Sequence, residues 1–230
     1  MFSAIIVMAG SGTRSGLKMN KALWELKGKP LFMYSYNMFK NYDAEIILVC
    51  AENDIPYIKS LNLDAKIVVG GETRAESVYN GVMESCNELC IIQDAARPFI
   101  TKNMIDDSIE AMRTSKCAYV GIPMIDTVRD KNSGVIDRSS LVVVQTPQSL
   151  YKDDYIKAYN MSKSDNISLT DDISYLEKYL NYKPTIIKGS RYNIKLTNPE
   201  DFKIAEYMED LLWYVLVMHG IHISLFPIEN

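Results

Sequence analysis

Ile5-Ile6-Val7-Met8-Ala9-Gly10-Ser11-Gly12-Thr13-Arg14-Ser15-Gly16, with Lys18 and Lys21 just beyond, runs a buried apolar strand directly into a glycine-rich turn. Consecutive apolar residues suit a strand covered on both faces, the kind found inside a parallel sheet. The glycines let the backbone turn tightly, so that several N–H groups can converge on phosphate oxygens. Arg14 and Lys21 add full positive charges beside them. The spacing Gly10, Gly12, Gly16 misses the dinucleotide fingerprint by one residue, and the stretch lacks the Gly-Lys-Ser/Thr ending of a P-loop. A plain structural turn is the alternative; the two cations favour phosphate binding.

The strand-then-turn pattern recurs along the chain. Glu45–Cys50, Lys66–Val69, Leu89–Ile92 and Cys117–Ile122 are short β-rich runs. Between them Ala75, Val78, Tyr79, Val82, Met83 and Cys86 recur at helical spacing, as do Ile105, Ile109 and Met112, and then Ile173, Leu176 and Leu180. Alternation of this kind implies crossover units, hence an α/β fold: a mostly parallel sheet with helices on both faces. In such sheets ligands bind at the C-terminal ends of the strands, beside a topological switch point. One region breaks the rhythm. Asp126 to Val144 carries a turn signal at Lys131-Asn132-Ser133-Gly134 between two extended flanks, which predicts a protruding β-hairpin. A hairpin alone is marginally stable and needs a surface to lie on, a second subunit being one candidate.

The chain has 230 residues, 47% of them hydrophobic and 23% charged, enough for one large domain with its own core. Twenty-five Lys and Arg against 29 Asp and Glu give a net charge of −4, which argues against general nucleic-acid binding. The four cysteines form no Cys-x-x-Cys pair, and the start of the chain carries no signal-peptide pattern, so a reduced cytoplasmic setting is expected. Leu211 to Ile228 is apolar but broken by His219, Gly220, His222, Ser224 and Pro227, which favours a packed C-terminal helix and tail over a membrane anchor. The expected organisation is a single domain over 1–210, a β-arm near 125–145 and an apolar tail over 211–230.

Further polar clusters follow the strands. Gly70-Gly71-Glu72-Thr73-Arg74-Ala75-Glu76-Ser77 opens a helix, whose first N–H groups attract anions; alternatively Thr73 is a cap and Arg74 and Glu76 are solvated. Gln93-Asp94-Ala95-Ala96-Arg97-Pro98 follows a buried strand. Asp94 there suits a metal or nucleotide, or else caps a turn, and Arg97 can pair with it or meet a phosphate bidentately. Asp126-Thr127 and Arg138 fall on the hairpin; Thr146-Pro147-Gln148, Thr170-Asp171-Asp172 and Asn193-Ile194-Lys195-Leu196-Thr197 come later.

Taken in order, AGSGTR, GGETRAES, QDAARP, IDT, DR, TPQ, LTDD, NIKLT and PED resemble the 2-C-methyl-D-erythritol 4-phosphate cytidylyltransferase family over roughly residues 3 to 209. The resemblance implies a Rossmann-like sheet with a β-arm that clasps a second subunit, making a homodimer. It implies that Ala9, Gly10, Gly12, Gly71, Glu72, Arg74, Ser77, Asp94 and Ala95 cradle CTP. Arg14 and Lys21 would hold the triphosphate and stabilise the transition state. Asp94 would hold Mg²⁺, with Lys195 beside it. Arg97, Asp126, Thr127, Thr146 and Thr170 would meet the polyol phosphate, with Arg138 donated across the dimer. Departures from the family's pattern are Met8 for Ala, Asn20 and Ala22 for Pro and Gln around Lys21, Gln93 for His, and Ile125 for a basic residue. The implied reaction joins two polyanions, so it calls for cations rather than a general base. Neither His219 nor His222 falls near a motif. Ribitol 5-phosphate as acceptor, a nucleotide-binding protein without catalysis and a dinucleotide-dependent oxidoreductase are the competing readings.

Overall fold

The computed structural model describes residues 1–10 and 19–218. Gly12, Arg14 and the end of the apolar tail lie outside them. In chain order the elements are β1 (Phe2–Val7), the ribbon β2 (Glu25–Leu26) and β3 (Lys29–Pro30), α1 (Leu31–Phe39), β4 (Ala44–Cys50), α2 (Ile55–Ser60), β5 (Lys66–Val69), α3 (Arg74–Met83), β6 (Leu89–Asp94) and α4 (Lys102–Ala111). There follow β7 (Cys117–Pro123), β8 (Val128–Asp130), β9 (Gly134–Ile136), β10 (Val142–Tyr151), α5 (Lys152–Ser164), α6 (Asp172–Leu180), β11 (Thr185–Lys188) and α7 (Pro199–Met218).

Seven strands form one sheet in the order β11-β7-β10-β6-β1-β4-β5. β1 pairs in parallel with both β4 and β6, and β4–β5 and β7–β11 are parallel too. Only β10, antiparallel to β6 and β7, runs against the rest. Successive side chains of a strand point to opposite faces, and β1 shows the consequence. Phe2, Ala4, Ile6 and Met8 pack with α1, α2 and α4 through Phe32, Tyr36, Phe39, Ile58 and Ile105. Ile5 packs on the other face with α3, α5 and α6 through Val78, Val82, Tyr155, Ile173 and Leu176. Ile5 and Ile6 are both fully buried, each side chain contributing about 1.5–3 kcal/mol of apolar transfer. That two-sided burial is why the run carries no polar alternation.

Helix starts follow local chemistry. The side chains of Thr73, Thr101 and Asp171 accept from the N–H groups of Glu76, Met104, and Ile173 with Ser174, capping α3, α4 and α6. α6 ends at Asn181, whose φ of 55° is left-handed.

The hairpin is shorter than the sequence suggests. β8 and β9 pair over three residues each around the turn at 131–133. The β-branched run Val142-Val143-Val144 does not form its second flank. It pairs instead with Pro123, Ile122 and Gly121 of β7 and opens β10, because the main sheet offers a longer ladder. α7 continues from Pro199 through position 210 to Met218. Among the described residues no helix is long and apolar enough to cross a membrane. Cys50, Cys90 and Cys117 are buried and Cys86 is exposed, all four as free thiols.

Candidate active site

The chain order around β1 reverses: β4 and β5 lie to one side and β6 to the other. The C-terminal ends of β1 and β6 therefore flank a switch point, where α/β sheets place their ligands. Ala95 N–H donates to Val7 O at 3.1 Å, locking the start of the Asp-Ala-Ala-Arg turn to the end of β1. The segment after β5 comes equally close. A Cβ on Gly70 would collide with the Cβ of Ala9 and lie 2.9 Å from Ser77 Oγ, so only glycine lets these two loops meet.

Asp94 is the centre of the cluster. Its Oδ2 accepts from Lys195 Nζ at 2.6 Å and its Oδ1 from Arg74 Nε at 2.9 Å. The same guanidinium reaches Asp172 bidentately, Nη1 to Oδ1 at 3.0 Å and Nη2 to Oδ2 at 2.9 Å. Asp172 is fully buried, and its own N–H donates to Gln148 Oε1. Burial alone would raise the Asp94 pKa, but Arg74 and Lys195 overcome it and hold the carboxyl well below its ordinary range. Asp94 is thus a fixed carboxylate with a cation on each oxygen.

The strand beside it is kinked to admit more partners. β10 loses register against β7 between Val144 and Gln148, and the Thr146–Pro147 peptide is cis. Asn193 enters the gap, donating from Nδ2 to Thr146 O at 2.9 Å, while Thr146 Oγ1 accepts from Asp94 N–H at 3.2 Å. Arg97 Nη1 donates to Asn193 O at 2.7 Å, and burial pushes its pKa down against the pull of Asp94. Its Nε is buried without a hydrogen-bond partner among the described residues. Lys21 approaches from another side. Its Nζ donates to Leu196 O at 3.1 Å, and Leu196 N–H donates to Ala96 O at 2.9 Å. The Lys21 turn, the Asn-Ile-Lys segment and the Asp-Ala-Ala-Arg turn are therefore joined.

Arg74, Asp94, Arg97, Thr146, Thr170 and Lys195 line one cleft of about 210 Å³. These are six of the residues singled out from sequence. The second cluster combines its two readings: Thr73 does cap α3, yet Arg74 is held between two carboxylates rather than solvated. Ser77 Oγ accepts from Gly71 N–H at 3.1 Å, and Glu76 accepts from Glu72 N–H at 2.9 Å, so both shape the loop. Asp126, Thr127 and Arg138 do not line the cleft of this chain. They are exposed on the hairpin, where Arg138 Nη1 donates to Ile125 O. Asp172, in the Thr170-Asp171-Asp172 motif, is a site residue without a role in the sequence pattern. Its signal is burial, which a lone Asp-Asp pair in a polar stretch does not reveal. A separate cavity of about 230 Å³ lies beside α5, lined by Thr73, Tyr159, Lys163 and Asn166 among others. Its lining holds one cation, Lys163, and no carboxylate.

A switch-point sheet whose cleft gathers Arg74, Arg97 and Lys195 beside the buried Asp94 carboxylate defines an α/β protein with a cationic cleft where such folds place their ligands. The family model described as IspD, 2-C-methyl-D-erythritol 4-phosphate cytidylyltransferase, matches residues 2–210, and the chain belongs to that family. A relative of that name from Azobacteroides pseudotrichonymphae is 38% identical over 218 residues, covering 90% of this chain and 97% of the relative. One from Caldanaerobacter subterraneus is 36% identical, covering 89% and 96%. The crystal structure of 4-diphosphocytidyl-2C-methyl-D-erythritol synthase from Anaerococcus prevotii superposes with a TM-score of 0.81 at 26% identity, covering 91% of this chain and 96% of that one.

Proposed function

We propose that this chain transfers CMP from CTP to 2-C-methyl-D-erythritol 4-phosphate, releasing pyrophosphate and giving 4-diphosphocytidyl-2-C-methyl-D-erythritol. The observation that carries the reading is the Asp94–Arg74–Lys195 cluster at the switch point, in a chain of this family. An acceptor phosphate oxygen forms the new bond to the α-phosphorus. The bond from that phosphorus to the bridging oxygen breaks, its electron pair leaving with pyrophosphate. The nucleophile is already ionised near neutral pH, so the work is positioning and charge screening.

Arg14 and Lys21 hold the triphosphate and take up the charge that develops on it. The loops carrying Ala9, Gly10, Gly12, Gly71, Glu72, Ser77 and Ala95 bound the nucleotide. Arg74 charges the cleft wall and orients Asp94. Arg97, Thr146 and Thr170 meet the polyol phosphate, and the orphaned Arg97 Nε is a donor ready for it. Magnesium suits the donors present: a hard carboxylate oxygen at Asp94, to be completed by phosphate oxygens as this ion prefers. Among the described residues no cluster of three or more His, Cys, Asp or Glu is arranged for a metal, so Asp94 and the triphosphate would share it. When bound, it neutralises charge on the transferring and leaving groups.

The reaction runs in a cytoplasmic homodimer. Free thiols support the compartment. Ile125 at 50% and Val135 at 62% exposure support the arm as the clasp. Asp126, Thr127 and Arg138 then serve the neighbouring subunit's acceptor. Light scattering is expected to give a dimer; a stable, active monomer would sink that assignment of Arg138.

Pyrophosphate release from CTP and Mg²⁺, with methylerythritol phosphate and ribitol 5-phosphate run side by side, tests the whole reading. Turnover with the first alone is the expected result. Turnover with ribitol 5-phosphate alone would keep the chemistry and move the acceptor, and silence with both would end the enzymatic reading.

A further inference from the structure

We infer that Asn20 is a positioning residue for Lys21, holding its turn against the sheet through a three-way carboxamide clamp; this rests on the role proposed for Lys21. Lys21 opens a single 3₁₀ turn, Lys21–Leu23, too short to fix its own orientation. Asn20 caps that turn, its Oδ1 accepting from Ala22 N–H at 3.0 Å. Its Nδ2 carries two hydrogens, and both are used. One goes to Met8 O at 2.7 Å and the other to Asp54 Oδ2 at 2.7 Å. Met8 lies at the exit of β1, where its N–H donates to Val49 O of β4 at 2.8 Å. Asp54 stands on the turn that follows β4.

One side chain thus ties the Lys21 turn to the ends of two neighbouring strands. A carboxamide supplies two donors and one acceptor on one carbon, so no other side chain of this length can make all three bonds. Ala22 below it is buried against the same core as Met8, so the clamp and the core fix the turn from two sides. Lys21 Nζ then reaches Leu196 O beside Lys195. A catalytic group displaced by about 1 Å loses roughly 100-fold in rate.

The experiment compares wild type, Asn20→Ala, Asn20→Asp, Lys21→Met, Asn20→Ala/Lys21→Met and Asn20→Asp/Asp54→Asn, reading kcat, KM for CTP, CTP affinity by calorimetry and the thermal midpoint. Asn20→Ala is expected to lower kcat roughly 10- to 100-fold and to weaken CTP binding about 3- to 10-fold, while remaining folded. In the Lys21→Met background the same change is expected to cost less than about threefold, because the residue it positions is gone. Asn20→Asp loses both donors and faces Asp54 with like charge; Asp54→Asn restores one bond with reversed polarity and is expected to recover part of the kcat.

Unchanged kcat and CTP affinity in Asn20→Ala would overturn the inference, and so would an equal loss with and without Lys21. If Asn20→Ala does not fold, the charge-reversed pair decides, its recovery supporting the clamp and its absence refuting it. Wild type silent with every acceptor would instead refute the reaction, and the CTP affinities of the variants would still judge the clamp.

Discussion

Lys21→Met is expected to lower kcat by roughly 100- to 1000-fold, the usual cost of removing one preorganised charge from the transition state. The thermal midpoint is expected to move little. Lys21 is half-buried, and its described bond, to Leu196 O, is made at 3.1 Å from the end of a long stem. Methionine keeps much of that stem and removes the ammonium, so packing survives and charge does not. Rapid-quench turnover at saturating CTP and acceptor separates chemistry from product release. A kcat within about fivefold of wild type would remove Lys21 from the transition state, given that single charge-stabilising groups are worth far more. Lys21→Arg keeps the charge but spreads it over a planar fork, and is expected to fall between the two.

Most of the fold was legible because β1, β4 and β6 are buried on both faces. Their apolar runs are unbroken, and a run of that kind admits few architectures. β10 was not legible. Its buried part includes Gln145, Thr146, Gln148 and Ser149, polar residues that reach the interior because Asn193, Asp94 N–H and Asp172 N–H satisfy several of them. A polar buried strand looks like a loop until its partners are known. The site divides in the same way. Asp94 and Arg97 sit in a short motif at the end of β6, where position predicts chemistry, and Lys195 in the segment between β11 and α7. Asp172 sits at the start of α6, where a carboxylate ordinarily faces water at a helix N-terminus, and only the tertiary fold turns it onto Arg74.

That arrangement makes Asp94 and Asp172, two carboxylates on one arginine, separable by mutation. Asp172→Ala leaves the Arg74 guanidinium facing a buried void with two of its three described carboxylate hydrogen bonds gone. Breaking a buried pair from one side costs about 3–5 kcal/mol. In a chain of this size each kcal/mol moves the midpoint by about 2–4 °C, so Tm is expected to fall on the order of 10 °C. Asp94→Asn is expected to be milder for the fold, because Lys195 is 36% exposed and can turn to water, and Arg74 keeps its bidentate partner. Its activity is expected to drop roughly 100- to 1000-fold, since the fixed negative charge at the cleft is lost. The pH dependence follows from the sign of the Asp94 shift. A depressed carboxylate contributes stability that is fully present above the ordinary value near ~4 and is lost only as pH falls through its lowered one. Wild type and Asp94→Asn should therefore differ in Tm by a constant amount from pH 6 to 9, the gap closing only in strong acid. Thermal melts across that range, with turnover at pH 7.5, measure both variants together. An Asp172→Ala midpoint within about 2 °C of wild type would mean that Arg74 does not need its buried partner. Full turnover by Asp94→Asn would remove the carboxylate from the reaction altogether.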